Sequence, residues 1–381
     1  MRIAVDARPL SHPGSRDARY VAGMFDNLVS RLPDAEWILL SHKAIAPEFA
    51  ALLTSGRVEI RVESSFVPQL PAIWMQRSLP RMIEKAQADI FWGTTGLLPR
   101  NIKKKLPGIK TILNVNDVSF RTAPEELKFI PRLEQKYFLE ESLQNADSVL
   151  CQSQSFRDEL IQLYPSIPQD KIKVIYPGMN PPAKKVSHPL DLPFFSEHFY
   201  LSVGTIEKRK NYKVLMEAYR RARRENPYLY PLVIAGKNGN EIKDELAELI
   251  QGAYKPEGIY YIETPTDGQL TWLYESCRVA FFPSLHESFP LRVLESLMHG
   301  KPAVLSDIPI MREIHPHGRF ASPTDVEAWK TFLLQMHGKE LPKQATFQSK
   351  KWQWDKRSDE LAREFKGINK ASRSEPSTSS D

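Results

Sequence analysis

The chain has 381 residues, of which 41% are hydrophobic and 26% charged, a composition that excludes a disordered or fibrous protein. This length exceeds one ordinary α/β core and predicts two domains. The 52 basic and 46 acidic residues leave a net charge of +6, which suits anionic small molecules, phospholipid surfaces or nucleic acid and selects none of them.

The sequence shows neither a membrane span nor a secretory signal. No run of roughly 18 apolar residues occurs, and the residues after Met1 lack the apolar segment and small-residue cleavage site of a signal peptide. We therefore expect a cytoplasmic protein whose membrane contact, at the inner face of the cytoplasmic membrane, is peripheral. Cys151 and Cys277 are isolated in apolar contexts, so we expect buried thiols without a disulfide or metal role.

Short β-branched and aromatic runs alternate with helical patterns along the chain, in two series. The first series predicts strands at residues 2–5, 37–40, 58–62, 90–92, 111–115, 149–151 and 173–176. The second predicts strands at residues 200–203, 232–235, 259–262, 279–282 and 303–306. Helical patterns such as residues 212–224 lie between most of them, which predicts a parallel sheet covered by helices on both faces, twice. The fold class is therefore α/β, with two doubly wound, Rossmann-like domains whose strand carboxyl ends we expect to face a central cleft.

A stretch rich in proline separates the two series. Residues 176–182 read Tyr-Pro-Gly-Met-Asn-Pro-Pro, which is typical of a connector. We place the boundary there, with one domain at residues 1–180 and a second, nucleotide-binding domain at 181–351. Residues 367–381 are predicted to form a disordered tail because they contain too few apolar side chains to pack.

The most informative segment is residues 283–302, which follows a buried-looking strand, turns, and enters a helix. Pro290 suits the first helical turn and Gly300 its end. The preceding loop offers backbone N–H groups and a positive dipole end to an anion. Glu287 in the loop and Glu295 in the helix can both accept hydrogen bonds from sugar or ribose hydroxyls. Their spacing alone favours solvent-facing helix carboxylates instead.

This segment resembles the E-x7-E region of retaining glycosyltransferases of family four, which have the GT-B fold and use sugar nucleotides. The likeness covers Glu-Ser-Phe-Pro-Leu-x-Val-Leu-Glu and the following Gly-Lys-Pro-Ala-Val-Leu-Ser-Asp, and it reverses the preference for a solvent-facing role. The resemblance implies that Glu287 contacts the donor sugar in the catalytic set and that Glu295 binds the ribose. The other donor-binding residues that it implies on this side are Ser288, Phe289, Pro290 and Leu291.

A second matching segment, residues 202–211, reads Ser-Val-Gly-Thr-Ile-Glu-Lys-Arg-Lys-Asn directly after the first strand of the second series. It resembles the diphosphate-binding loop of the family, in which the catalytic Arg209 and Lys210 would stabilise the leaving phosphate. Many relatives carry the Arg immediately after the glycine, here Gly204, but this chain has Thr205 there and Arg209 takes its place. The alternative is a solvated basic loop before a helix.

Two segments near the ends of early strands depart from the family pattern. Gly14, Arg19 and Tyr20 occupy the acceptor and phosphate loop, but residues 16–20 read Arg-Asp-Ala-Arg-Tyr where relatives usually read Gly-Ile-Gly-Arg-Tyr. Without those glycines a phosphate or sugar is kept farther from the backbone.

The second departure is Asn116-Asp117, at a strand end where relatives usually have His-Asp. Asn116 can hydrogen-bond to a sugar hydroxyl but cannot take a proton at neutral pH. The resemblance implies a same-face substitution in which the leaving phosphate accepts the acceptor's proton, so a dedicated base is not required. Asp117 either contacts the acceptor or caps the following turn.

We expect no metal ion and no cofactor, with the nucleotide-sugar acting as a co-substrate. No Asp-x-Asp occurs in the chain, and His315-Pro316-His317 is too short and isolated for a metal site. Selection of the nucleotide base is expected near Gly236 and Lys237 and the loop at residues 264–267. Gly236 and Lys237 complete the set of expected donor-binding residues.

Basic and apolar residues are mixed at residues 73–85, and Arg100-Asn101-Ile102-Lys103-Lys104-Lys105 follows soon after. They suit either an anionic membrane surface or a core-facing helix followed by a solvated loop. Residues 220–224, Arg-Arg-Ala-Arg-Arg, suit a solvated helix face.

The resemblance covers the chain to about residue 365 and includes a C-terminal helix at residues 352–366, expected to pack back on the first domain. It implies transfer of a mannose- or rhamnose-like hexose, from a GDP-linked donor, to a lipid-linked glycan acceptor in lipopolysaccharide O-antigen or other surface-polysaccharide synthesis. Other glycosyltransferases are expected partners. One alternative is a non-catalytic partner subunit that binds sugar nucleotide or glycan, and another, nucleic-acid binding, lacks any motif.

Overall fold

The computed structural model of the chain describes residues 1–53, 56–63, 71–118, 129–179, 185–194, 198–239, 245–338 and 349–374. These residues form two compact units. The first contains the described residues up to Gly178 together with those from Lys350 onward, and the second contains the described residues of Met179–Ser349.

The first unit is built on a seven-stranded sheet. Its strands are β1 (Arg2–Asp6), β2 (Glu36–Ser41), β3 (Val58–Val62), β4 (Ile90–Gly93), β5 (Lys110–Asn114), β6 (Ser148–Cys151) and β7 (Ile172–Val174). Its helices are α1 (Arg16–Arg31), α2 (Pro71–Lys85), α3 (Ile102–Lys105), α4 (Phe129–Asn145) and α5 (Gln154–Leu163), together with the C-terminal helix. The strands pair in parallel in the order β3-β2-β1-β4-β5-β6-β7, so the strand order reverses between β1 and β4.

The second unit repeats this design on a six-stranded parallel sheet. Its strands are β8 (Tyr200–Val203), β9 (Leu232–Gly236), β10 (Ile259–Glu263), β11 (Val279–Phe282), β12 (Ala303–Ser306) and β13 (Arg319–Ala321). Its helices are α6 (Tyr212–Glu225), α7 (Glu245–Ile250), α8 (Asp267–Ser276), α9 (Leu291–Met298), α10 (Pro309–Ile314) and α11 (Val326–Gln335). The order β10-β9-β8-β11-β12-β13 reverses between β8 and β11, where open α/β sheets bind ligands at the carboxyl ends of their strands.

The predicted fold class is confirmed. All twelve predicted strands are present, with ends that differ by at most two residues. Five of them (β4, β6, β8, β11 and β12) are buried along their whole length because helices cover both faces. The thirteenth, β13, was missed: it has only three residues, begins with Arg319, and is recruited by pairing with β12.

The C-terminal helix α12 spans Trp354–Ser374 and corrects the predicted tail. Residues 367–374 are helical, whereas 375–381 lie outside the described residues. The extension has a physical cause, because Ile368 adds to the contacts that Phe365 and Leu361 make with the first unit's core. The Trp354 ring also occupies the space over Gly23, where any Cβ would overlap it.

The apolar residues of α2 belong to the core, as the core-facing alternative required. Trp74, Met75, Leu79, Met82 and Ile83 are all buried. Within the described ranges, none of the helices combines the length and apolar character needed to cross a bilayer.

Both cysteines are buried and neither forms a disulfide. Burial raises the pKa of Cys151 and of Cys277 to about 12, so both thiols stay protonated at neutral pH.

Candidate functional site

Two loops meet at the point where the strand order of the second sheet reverses. One leaves β8 at Gly204 and ends at Asn211, and the other leaves β11 at Pro283. The N–H of Leu285 donates to the carbonyl of Arg209 at 2.8 Å, and Asn211 Nδ2 donates to the carbonyl of Pro283 at 3.0 Å. Asn211 has a left-handed backbone (φ 57°), which lets the chain turn directly into α6. The two loops are therefore held together by backbone and amide contacts.

Glu287 lies at the centre of this junction and is 7% exposed. Its Oε2 accepts a hydrogen bond from Arg209 Nη1 at 2.9 Å, and its Oε1 accepts one from Ser284 Oγ at 2.9 Å. Lys210 Nζ also donates to Oε1, and Arg209 makes a second ion pair with Glu207. The structure thus brings three predicted catalytic residues together: Arg209, Lys210 and Glu287.

The electrostatics follow from burial and close pairing. Burial raises the pKa of Glu287, but Lys210 and Arg209 lower it more, and the result is a pKa of about 2. Burial lowers the pKa of Lys210, and the attraction of Glu287 opposes that shift. Glu287 is therefore ionised at neutral pH, and its two cationic partners are turned toward it.

Two glycines bring the exits of β8 and β9 into close contact. A Cβ on Gly236 would overlap the carbonyl oxygen of Gly204, so no other residue fits at position 236 without moving the backbone. A Cβ on Gly204 would in turn come within 2.9 Å of Tyr212 Oη and 3.3 Å of Lys210 Cε. Gly236 is therefore explained by its close approach to the backbone of Gly204, and Gly204 by its close approach to Tyr212 and Lys210.

Glu295, on α9, belongs to a separate cluster of polar side chains. Its Oε2 accepts hydrogen bonds from Arg292 Nη1 at 2.7 Å and from Tyr274 Oη at 3.0 Å. Burial lowers the pKa of Arg292, but Glu295 and Tyr274 raise it more, so the guanidinium is charged. Burial, with the charge of Glu295, raises the pKa of Tyr274 well above its usual value, so its hydroxyl remains a donor.

The remaining predicted donor-binding residues flank these groups. Ser288 and Phe289 are buried and Leu291 is half-buried in the loop and first turn of α9, with Pro290 at the position that caps the helix. Thr205 is half-buried and Lys237 is exposed at the carboxyl ends of β8 and β9. Their positions suit contacts made by the backbone and by short side chains.

In the first unit, Asn116 is held by hydrogen bonds to three partners. Its Nδ2 donates to Asp17 Oδ1 at 3.0 Å and to the carbonyl of Thr94 at 3.2 Å. Its Oδ1 accepts a hydrogen bond from Gln152 Nε2 at 3.0 Å. Asn116 therefore joins the start of α1 to the carboxyl ends of β4, β5 and β6. Partial burial and nearby Asp117 raise the pKa of Asp17, against the opposing effect of Arg16.

Asp117 pairs with Arg16, whose Nη2 lies 2.9 Å from its Oδ2. Residues 16–20, which lack the family glycines, form the first turns of α1, and the side chain of Arg16 lies beside Asp117. Gly14 is exposed with a φ of 75°, and Arg19 is half-buried on α1. Tyr20 is 2% exposed and packs edge-on to Trp354 in the core, because it lies on the inward face of α1, and its role at the acceptor stays a prediction.

Sequence reasoning missed several partners of the predicted residues. Arg292 stands three positions before Glu295 on one helix, a spacing that could have revealed the pair. Ser284 likewise precedes Glu287 by three positions. No local signal indicated Tyr274, which reaches Glu295 from a different helix.

Among the residues that the structure describes, no group of three or more His, Cys, Asp or Glu side chains is arranged to hold a metal ion. Metal independence itself stays a prediction, because the need for a metal is a property of the reaction that has to be measured.

Each half of the chain matches the sequence model of a known protein family. Residues 24–181 match Glycosyltransferase Family 4, and residues 193–352 match Glycosyl transferases group 1. The second match contains the junction of Arg209, Lys210 and Glu287. The first contains Asn116 and Asp117.

One curated relative is the O-antigen chain mannosyltransferase B of Escherichia coli, which is 29% identical over 256 residues, or 65% of this chain. The match spans 64% of that relative's own length. Among solved structures, sucrose-phosphate synthase from Thermosynechococcus elongatus is similar with a TM-score of 0.71 and 14% identity, covering 97% of this chain and 100% of that one. HepE of Anabaena in complex with UDP has a TM-score of 0.65 and 16% identity, covering 96% and 99%. These two likenesses show a shared fold of the GT-B type.

Proposed function

Because the chain belongs to the family four and group 1 glycosyltransferases, we propose that it transfers a mannose- or rhamnose-like hexose, with retention of configuration, from a nucleotide-diphosphate sugar. The proposed donor is GDP-linked. The proposed acceptor is a lipid-linked glycan of O-antigen or other surface-polysaccharide synthesis, elongated at the inner face of the cytoplasmic membrane. Likeness to an O-antigen mannosyltransferase supports the sugar class.

The observation that carries the proposal is the buried junction of Arg209, Lys210 and Glu287 at the reversal point of the second sheet. Two cations there face a carboxylate in a largely water-excluded site. A donor diphosphate offers the same kind of anionic oxygens, so it can take over one or both cations. Charge that develops on the departing phosphate would then be stabilised by groups already in place.

The two carboxylates would have different tasks. Glu287, ionised at neutral pH, would accept a hydrogen bond from a donor-sugar hydroxyl once the diphosphate has engaged the cations. Glu295, oriented by Arg292 and Tyr274, would accept hydrogen bonds from the ribose diol. Neither task requires a metal ion, so we expect transfer to persist in the presence of a chelator.

The first unit would position the acceptor. Asn116 cannot act as a base at neutral pH, and its hydrogen bonds to Asp17, Thr94 and Gln152 suit an orienting role. In a same-face substitution the departing phosphate oxygen takes the proton of the acceptor hydroxyl while the new glycosidic bond forms. The chain's own contribution is then positioning and charge stabilisation.

A thermal-shift screen against GDP, UDP, ADP and dTDP and their hexose conjugates tests the donor, because a ligand of the folded state raises apparent stability. We expect the GDP series to give the largest shift, Glu295→Ala to reduce it, and Lys210→Ala to lower kcat more than it raises KM. Unchanged kinetics in both variants would remove the site assignment. A shift without turnover on any lipid-linked acceptor would favour the partner-subunit alternative, which the engaged side chain of Asn116 also suits.

A further inference from the structure

Strand β3, at one edge of the first sheet, is the most exposed strand that the structure describes. It spans Val58–Val62 and has no buried residue, whereas each of the other described strands has at least one. Ile60 is 39% exposed and Val62 is 48% exposed, although both are aliphatic. An exposed edge strand with apolar side chains is a template on which another strand can pair.

The backbone of β3 is paired with β2 on one side, and no described strand pairs with it on the other. The N–H of Trp37 donates to the carbonyl of Arg57 at 2.9 Å, and the N–H of Glu63 donates to the carbonyl of Ser41 at 3.1 Å. Because backbone groups alternate in direction along a strand, the odd-numbered residues of β3 face β2 and the even-numbered residues face outward. The open edge is therefore lined by the N–H and C=O groups of Val58, Ile60 and Val62.

The other three edge strands are protected in the ways that natural sheets use. β7 and β13 have only three residues each, and each contains a basic side chain, Lys173 in β7 and Arg319 in β13. β10 is as long as β3, but its Ile259 packs in one core cluster with Leu246 and Leu249 of α7. β3 has five residues, none of them lysine or proline, so its edge stays open to pairing.

The sequence around β3 is complementary to itself when two copies run antiparallel. Residues 57–63 read Arg-Val-Glu-Ile-Arg-Val-Glu. If Ile60 of one copy lies opposite Ile60 of the other, valine lies opposite valine, and every arginine of the segment lies opposite a glutamate. The valines and Ile60 then form the hydrogen-bonded pairs, because their backbone groups face outward. Glu59 and Arg61 occupy the non-hydrogen-bonded pairs, where side chains approach most closely.

The charges also select this register against its neighbours. A slip by one residue turns the hydrogen-bonding groups of one copy away from those of the other. A slip by two residues in one direction places Glu59 opposite Glu59 and Arg57 opposite Arg61. The slip by two in the other direction places Arg61 opposite Arg61 and Glu59 opposite Glu63. Like charges directly opposite each other destabilise a strand pair, so only the register centred on Ile60 is favourable.

The charged pair is already in place in the single chain. Arg61 Nε donates to Glu59 Oε1 at 2.6 Å, and Arg61 Nη2 donates to Glu59 Oε2 at 3.0 Å. Both side chains lie on the same face of β3, because they are two residues apart. In the antiparallel pair the four groups alternate in sign, so that each carboxylate lies between two guanidinium groups.

We propose that two copies of the chain associate through β3, in the antiparallel register centred on Ile60, so that their first sheets form one continuous sheet. Val58, which packs against the core of the first unit, and the exposed Ile60 and Val62 form one aliphatic row, and the partner's row continues it. The pairing uses the open edge of both copies, so the assembly closes as a dimer. A pairing of seven residues is smaller than a standard interface, and we expect a micromolar dissociation constant.

This association is separate from the donor chemistry, because β3 belongs to the first unit and the diphosphate-binding cations to the second. A chain that fails to dimerise would still show the nucleotide thermal shift, and a chain that fails to bind nucleotides would still dimerise. The two proposals therefore fail independently.

Sedimentation velocity of the full chain, from about 1 to about 200 μM, measures the equilibrium between monomer and dimer. Glu59→Arg replaces two attractive cross-strand pairs by two repulsive ones, and Arg61→Glu does the same. Each substitution should weaken the dimer about 30-fold. An equimolar mixture of the two variants should recover the affinity, because a heterodimer has opposite charges at both positions.

Two further variants sharpen the test. Ile60→Pro removes an N–H that faces outward and none that bonds to β2, so the monomer should fold and the dimer should be lost. The matched control is Glu217→Arg, which makes the same charge change at the exposed pair of Glu217 and Arg221 on α6. We expect this control to dimerise like the wild type.

Four results would overturn the proposal. A wild type that stays monomeric over this range would leave the edge to an extended segment of another protein. Dimerisation of Glu59→Arg or Ile60→Pro equal to that of the control, a mixture of the two charge variants that stays monomeric, and growth of the wild type beyond a dimer would each do so as well. Far-ultraviolet circular dichroism shows that each variant is folded, and recovery in the mixture shows that both charge variants keep a competent edge.

Discussion

Replacing Glu287 by glutamine preserves the shape of the buried side chain and removes its charge. Lys210, whose side chain is only 13% exposed, then loses its anionic partner, whereas Arg209 keeps Glu207. Removing one member of a buried pair typically costs 3–5 kcal/mol, because the other charge stays buried without compensation. We expect Glu287→Gln to lower the free energy of unfolding of the second unit by about 3 kcal/mol at neutral pH.

The pH dependence gives an independent measure of the same interaction. The folded-state pKa of Glu287, about 2, lies below its usual value of 4.5. A depressed carboxylate pKa adds stability that is fully present above pH 4.5 and is lost as the pH falls toward 2. A difference of this size corresponds to about 3 kcal/mol, in agreement with the cost expected from the substitution.

Urea unfolding of the wild type and the variant, followed by circular dichroism at neutral pH and near pH 3, measures both quantities. The stability difference between the two proteins should shrink by roughly 2 kcal/mol on acidification, because at pH 3 Glu287 is protonated in the unfolded wild type while it stays ionised in the folded one, and the variant has no carboxyl group at this position. The matched control is Glu217→Gln, which breaks an exposed pair with Arg221 and should cost no more than about 0.5 kcal/mol. A destabilisation by Glu287→Gln no larger than the control's, or a difference that does not change with pH, would refute the reasoning.

The same variant tests the competition between Glu287 and a diphosphate. With the carboxylate gone, Lys210 no longer has to leave Glu287 to bind a nucleoside diphosphate, so GDP should recover part of the lost stability and bind more tightly than to the wild type. Turnover should still fall, because the amide of the variant accepts a weaker hydrogen bond from the donor-sugar hydroxyl than the proposed carboxylate does. Isothermal titration calorimetry distinguishes the two effects, and weaker binding of GDP by the variant would contradict the proposed exchange of partners.

Two further predictions concern stability. Gly236→Ala should destabilise the second unit by about 3 kcal/mol, because the new methyl group overlaps the carbonyl of Gly204. The control is Gly367→Ala, at an exposed position of α12 with open space around it, which should instead stabilise the first unit by about 0.5 kcal/mol. Urea unfolding measures both, and equal effects would show that close approach is not the reason for Gly236. Asn116→Leu should cost about 2 kcal/mol in the first unit, because the buried Thr94 and Gln152 and the partly buried Asp17 lose their hydrogen bonds. A melting temperature equal to that of the wild type would contradict this.

The fold could be predicted because its signals are local. Each strand of a parallel sheet covered on both faces appears as a short apolar run, and the helices between the runs require parallel crossovers. The errors arose where a segment depends on distant partners. β13 exists through its pairing with β12, and α12 extends past residue 366 because Ile368 reaches the core of the first unit.

The sequence predicted which residues belong to the candidate site but not which of them contact one another. Arg209, Lys210 and Glu287 were identified as residues of one kind of chemistry through the resemblance of their two segments to family motifs. Their pairing was not readable, because Glu287 is 78 residues from Arg209 and 77 from Lys210 along the chain. The burial of Tyr20 was not readable for a similar reason, since a motif position does not show which face of α1 points to the core.

By itself the sequence determined the alternation of strands and helices, the doubling of the α/β design, and the types of residue that follow the strands, because all of these are expressed within a few neighbouring positions. The tertiary structure alone decided which charges neutralise one another. It paired Arg220 and Arg221 of α6 with carboxylates, and it bound Asn116 to Asp17 across 99 positions of sequence. Coulomb attraction depends on distance in space, and only the folded chain sets that distance.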